Sequence, residues 1–129
     1  MSKAPWMFNL RGDTRGIARK LGEGLNANIF PGEKVMLSVV RMDPNSIGSV
    51  HSHPEEQWGL LLEGKCTRIQ AGEEIEAEAG DFWYTPGGVE HTVRTGASSA
   101  LILDIFSPPR AEYKQAGSGF GAAKIRKSG

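Results

Sequence analysis

The sequence predicts an all-β domain, a sandwich or a barrel, and three features point there. The apolar segments are short and rich in β-branched or aromatic residues, which suits strands. Seventeen glycines and seven prolines interrupt them every few residues, which favours turns. Helix signals are scarce. A chain of 129 residues is long enough for one domain around one core, and a jelly roll is one way to close many short strands.

The elements follow in order. Residues 1–30 are read as an N-terminal arm, residues 31–110 as the β-barrel and residues 111–129 as a flexible or docked tail. Within the arm, "IARKLGEGL" (17–25) fits a turn of helix weakened by two glycines. "VMLSVVRM" (35–42) is a strand that stops at Asp43-Pro44. "VHSH" (50–53) is read as a strand that places His51 and His53 on one face, since alternate residues of a strand point the same way. "QWGLLLEG" (57–64) and "KCTRIQAG" (65–72) read as two strands joined near Gly64. "EEIEAEAG" (73–80) alternates Ile75, Ala77 and Ala79 against Glu74, Glu76 and Glu78, the pattern of a half-buried strand. "DFWYTPGG", "EHTVRTG" and "SALILDIF" supply three more strands. In the first of these, Phe82 and Tyr84 share one face and Trp83 takes the other.

Charge and cysteine content exclude some functions. Fifteen basic and fifteen acidic side chains cancel, which argues against nonspecific nucleic-acid binding. Bases cluster at both ends: Lys3, Arg11, Arg15, Arg19 and Lys20 in the first twenty residues, and four in residues 111–129, read as solvated ends. Cys66 stands alone, so no intrachain disulfide forms and a reducing compartment fits. No signal-peptide run opens the chain and no segment approaches a membrane span, so the expectation is a soluble cytoplasmic protein.

The chemistry concentrates in "HSHPEEQ", residues 51–57. Imidazole is the commonest protein ligand for borderline divalent metals, and two side by side can chelate one. Gln57 could add an amide oxygen, and His91, the third and last histidine, follows the "TPGGVE" turn. A surface or hydrogen-bonded pair is the plainer reading of two histidines alone. The spacing adds to the pair: Gly48, two residues, His51-x-His53, three residues, Gln57, six residues, Gly64. Later come Gly80, five residues, Pro86-x-Gly88, two residues and His91.

These two stretches resemble the paired motifs of the cupin superfamily, over about residues 30–106. The resemblance implies a cupin jelly-roll β-barrel with His51, His53, Gln57 and His91 around one divalent ion, its identity open among Zn, Ni, Fe and Mn. Three positions depart from the pattern. Gly48 stands closer to His51 than usual, Thr95 replaces the usual asparagine, and Gln57 replaces the usual glutamate. Four neutral ligands leave the ion's charge uncompensated, which strengthens it as a Lewis acid, attracts anions and suits non-redox chemistry. The alternative is that Glu55, Glu56 or water completes the sphere instead of Gln57.

"SALILDIFSPPR" (99–110) sharpens the expectation. Ile102, Asp104 and Phe106 share one face, and a carboxylate on such a strand needs a partner or a cavity. Arg110, after two prolines, either reaches the cavity mouth, where it could hold a carboxylate, or stays an exposed surface arginine. With the glutamine-variant motif, "DIFSPPR" is similar to the KdgF-type cupins, which linearise unsaturated uronates. That similarity implies catalytic roles for Asp104, Phe106 and Arg110, a small sugar acid as substrate, no nucleic-acid or membrane partner and, from cupins of this size, a homodimer. A cupin dioxygenase and a non-catalytic sugar-binding module are the alternatives.

Overall fold

The computed structural model describes residues 4–114 and the two-residue strand Gly117–Ser118. Eight strands carry the fold: β1 (Ile17–Gly22), β2 (Leu25–Pro31), β3 (Met36–Met42), β4 (Glu56–Gln70), β5 (Glu73–Glu78), β6 (Phe82–Thr85), β7 (His91–Arg94) and β8 (Ala100–Ser107). All pair antiparallel, in the order β5-β4-β8-β3-β2-β1, with β6 and β7 also on β4 and β9 (Gly117–Ser118) parallel to β1. The fold is the expected all-β jelly roll.

β4 organises the barrel because it belongs to both of its walls. Its first half pairs with β8 and β6, and its second half with β5 and β7. The crossover falls at an irregularity between Leu61 and Glu63, followed by Gly64 at φ 85°. Only glycine takes that conformation without strain, and a Cβ there would overlap the Ser99 carbonyl oxygen. Gly64 therefore bends one long strand, where the sequence reading expected a junction between two.

The structure departs from the expectations at four further places. Residues 17–30, assigned to the arm and in part to a helical turn, belong to two paired strands of the sheet, Ile17–Gly22 and Leu25–Pro31. Their side chains alternate buried and exposed, a period-two pattern that overrides the weak helical one. On β5 only Ala77 is buried; Ile75 faces solvent. "VHSH" is not a regular strand: His51 makes a single bridge to His91, and His53 lies in the loop that follows. Of the expected tail, Ala111–Lys114 form a short 3-10 helix that buries Tyr113 in the chain's own core. Residues 115, 116 and 119–129 of that tail, and residues 1–3 of the arm, lie outside the described residues.

Two rungs across the sheet build the barrel interior. One runs Ser38, Asp104, Gly59 and Trp83 over β3, β8, β4 and β6; the next runs Met36, Phe106, Gln57 and Thr85. Residues opposite one another share a face, so all eight positions belong to one wall. Gly59 has no side chain, and the Trp83 indole lies where its Cβ would stand. Beneath these rungs Leu25, Ile29, Met42, Leu61, Ile102 and Tyr113 close the core.

Gly64→Ala is expected to destabilise the fold by about 3 kcal/mol or more in urea unfolding, from left-handed strain plus backbone overlap. Gly72→Ala, at φ 80° with open space around its Cβ, is expected to cost only about 1 kcal/mol. Equal losses would show that Gly64 is not the bend that joins the two walls.

Candidate metal centre

Two backbone hydrogen bonds bring the distant motif halves together. His51 N–H donates to the His91 carbonyl at 3.1 Å, and His91 N–H returns the bond to His51 at 2.9 Å. Gly88 N–H donates to the His53 carbonyl at 2.8 Å, which holds the turn before His91 against the first motif. The three rings then gather, with centroids 4.4 Å (His51–His91), 4.9 Å (His53–His91) and 5.8 Å (His51–His53) apart. One ligating nitrogen from each falls within 4.8 Å of the others.

The local backbone sets each ring's tautomer. Nδ1 of His51, His53 and His91 lies 2.9, 3.0 and 2.8 Å from the carbonyls of Ser49, Glu55 and Val89. A carbonyl only accepts, so Nδ1 carries the proton in each case and Nε2 keeps its lone pair. Such outer bonds orient metal-ligating histidines generally. The rings are also held neutral. Burial, aided by the Arg110 and Arg68 charges, drives the His51 pKa down to about 4. Burial drives His91 down to about 3, with Arg68 adding to it. His53 is lowered by burial and then by Arg110.

This donor set fits a divalent cation. His91 Nε2 is buried with no hydrogen-bond partner. His53 Nε2 faces Gln57 Oε1 at 3.0 Å, two acceptors in contact. Turning the Gln57 amide over would aim its oxygen at Asp104, whose carboxyl lies against the same side chain. A cation beside His53 resolves the conflict and satisfies His91. Gln57, 3 % exposed, is thus placed among the three histidines. Glu56 accepts from the Tyr84 hydroxyl, and Glu55 lies 3.5 Å from the outer Nδ1 of His53, so neither carboxylate stands on the Nε2 side.

The expected carboxylate shares the cavity. Asp104 and Phe106 line the same small enclosure as His51, Gln57 and His91, a volume of about 40 Å³ that holds an ion and one or two waters. Burial pushes the Asp104 pKa up to about 6, against the pull of Arg68, Gln57 and Arg110. Phe106 is buried and packs edge-on against His53 at 5.5 Å.

Arg110 is buried, stacked 4.1 Å over Tyr113 and 4.0 Å from Glu55, but it does not line the enclosure. The sequence reading placed it at the cavity mouth; the short helix that follows carries Tyr113 beneath it and holds it behind Phe106.

Sequence reasoning missed Arg68. It projects into the cavity from β4, donating to Thr85 Oγ1 at 2.8 Å and Gln70 Oε1 at 3.2 Å. The only sequence signal was its alternation with Cys66 and Gln70, which Thr67 and Ile69 match on the other face. Trp83 rather than Phe82 or Tyr84 faces inward.

Fold and site together define a jelly-roll barrel with a three-histidine centre that could bind a metal. A cupin domain family model matches residues 38–106, and the chain belongs to the cupin family. Oxalate decarboxylase OxdC of Bacillus subtilis (strain 168) is 28% identical over 74 residues, 50% of this chain but 19% of that protein. A solved structure of that enzyme described by its Mn(II) centers superposes with TM-score 0.66 at 21% identity, over 73% of this chain and 28% of its own. KdgF from Halomonas sp. gives TM-score 0.68 at 24% identity over 73% of this chain and 87% of its own. An RmlC-like cupin from Shewanella frigidimarina gives 0.70 at 24% identity over 77% and 89%. These structural likenesses bear on the fold.

Two outcomes are expected. Purified protein carries close to one divalent ion per chain by elemental analysis, and His91→Ala carries less than about a tenth of that; unchanged content in the variant would remove His91 from the site. Without metal, the protein loses stability as pH falls below about 6.5, because the unfolded histidines take up protons that the native ones refuse down to about 4 or 3. Asp104 partly offsets this between about pH 6 and 3.8, where the native state binds the extra proton. Thermal unfolding at pH 7 and 5 in chelator should show a smaller acid loss in His91→Gln than in wild type; equal losses would contradict the buried, neutral ring.

Proposed function

We propose that this protein is a metal-dependent enzyme that converts a small unsaturated sugar acid by non-redox ring opening. One observation supports it above the others: Asp104, whose pKa burial pushes up to about 6, shares a cavity with His51 and His91, two of the three convergent imidazoles. The solved KdgF fold adds an enzyme of comparable length as a precedent.

In this reading His51, His53, His91 and the Gln57 oxygen would hold a divalent ion, which would supply Lewis-acid chemistry at a ring or enol oxygen. Asp104 takes the proton released from the anomeric hydroxyl as the ring opens, and returns a proton to the alkene carbon, so composition is unchanged. A pKa near 6 lets one carboxyl do both at neutral pH. Phe106 walls the site and holds His53 in place. Arg110 acts as a positioning residue through Glu55, which lies on the outer nitrogen of His53. Only the reacting end of a sugar acid enters an enclosure of about 40 Å³, and the remainder stays at the mouth beside half-buried His51.

That small volume and the identity to oxalate decarboxylase also favour a second reading, in which the acid has only two to four carbons. A homodimer and a cytoplasmic setting remain part of the proposal; no helix among the described residues is long and apolar enough to cross a membrane.

Asp104→Asn in metal-loaded protein is expected to lower kcat on unsaturated galacturonate at least about 100-fold while metal content and substrate binding persist. Turnover is followed by loss of the alkene's ultraviolet absorbance, without oxygen uptake. Unchanged kcat would remove the proton shuttle. Oxygen consumption would favour a dioxygenase, and binding without turnover a sugar-binding module. Release of carbon dioxide from oxalate would favour the smaller acid.

A further inference from the structure

Arg68 is a buried cation with no counter-ion among the described residues. The residue is 7 % exposed and lines the enclosure together with Asp104 and Gln57. Its described partners are neutral: Gln70 Oε1, Thr85 Oγ1 and the Trp83 ring, whose centroid lies 5.4 Å from the guanidinium. Two of its five N–H groups are used, and no carboxylate among the described residues comes within ion-pair distance. Asp104 is close enough to pull on its charge but does not pair with it.

An unpaired guanidinium in such a place is costly unless something anionic completes it. Its setting is rigid. Thr85 Oγ1, fully buried, also donates to Gln70 Oε1 at 2.7 Å, so the two acceptors that hold Arg68 are locked to each other. The indole stacks on one face of the fork, and Gly59 leaves the indole the room to do so. The fork is anchored through Nε and one Nη2 hydrogen, and the remaining Nη1 and Nη2 hydrogens can grip a carboxylate with two bonds. Arg68 and Trp83 also line a second, larger pocket between β4, β5 and β6, where Glu73, Glu76 and Asp81 stand. Those acids repel an anion on that side, which leaves the metal-centre side as the approach to the guanidinium.

We propose that Arg68 is the specificity residue of the cavity and binds the carboxylate of the substrate, which fixes the acid-bearing end beside the histidines. This rests on the reading of the site as one for a small organic acid, and it gives Arg68 the clamping role that the sequence alone suggested for Arg110.

The test compares binding of unsaturated galacturonate and its methyl ester by calorimetry, with metal-loaded wild type, Arg68→Gln, Arg68→Lys and Arg110→Gln. Wild type is expected to prefer the acid at least tenfold. Arg68→Gln should abolish that preference, leaving ester affinity and metal content unchanged. Arg68→Lys, which keeps the charge and loses the fork, should retain part of it; that variant decides the matter if Arg68→Gln does not fold. Arg110→Gln should keep the preference. Wild type without any acid preference, or a preference that survives both Arg68 changes, would overturn the inference. So would loss of the preference in Arg110→Gln alone. An acid preference that depends on Arg68 in a protein that turns over no uronate would sustain the inference and sink the proposed reaction.

Discussion

Everything in the site depends on the reciprocal backbone bonds between His51 and His91. They join two segments forty positions apart, and the bonds from Gly88 N–H to the His53 carbonyl and from Gly48 N–H to the Val93 carbonyl reinforce the junction. Once the segments meet, each ring is pinned from outside by a carbonyl two residues away: Ser49 for His51, Glu55 for His53 and Val89 for His91. The carbonyl lies two residues upstream of His51 and His91 and two downstream of His53, with the same effect in each case. Each bond spends Nδ1 on the backbone and turns Nε2 towards the common centre. Burial then keeps the rings neutral, the state in which a metal can use them.

The glutamine at position 57 makes sense beside Asp104. Its amide has two ends, and the cavity presents an acceptor to each: His53 Nε2 and the Asp104 carboxyl. An amide can offer its oxygen to a metal on one side and its N–H groups to a carboxylate on the other. A glutamate there would set two carboxylates against each other and drive the Asp104 proton on more firmly. The departure from the usual ligand set and the acid poised near neutrality are therefore one arrangement rather than two. Gly59 extends the same logic, because the absence of a side chain opposite Asp104 gives Trp83 its place beneath Arg68.

Much of this was legible in the sequence because it is local. Period-two alternation gave the inward face of β8, and the structure places Ile102, Asp104 and Phe106 on one cavity wall as expected. The motif spacing named the histidines and Gln57. What escaped were features set by tertiary pairing. Gly64 reads as a turn signal, but strands on both sides of β4 stretch it into a bend. The β1–β2 hairpin carries Gly22 and Gly24 and a mixed pattern, and pairing of the two with each other and of β2 with β3 makes them strands. "VHSH" needs no strand, since one bridge and a carbonyl per ring suffice. Arg68 was hidden because both faces of its segment look equally suited to the interior, and Arg110 was misplaced because nothing in the sequence shows Tyr113 folding back beneath it.

The convergence of three imidazoles on one ion is most directly tested by X-ray absorption of the metal-loaded protein. Three imidazole nitrogens and at least one oxygen in the first shell are expected, with the imidazole count falling to two in His91→Ala protein reloaded with excess metal. A shell of oxygen ligands alone, or one that His91→Ala leaves unaltered, would contradict it.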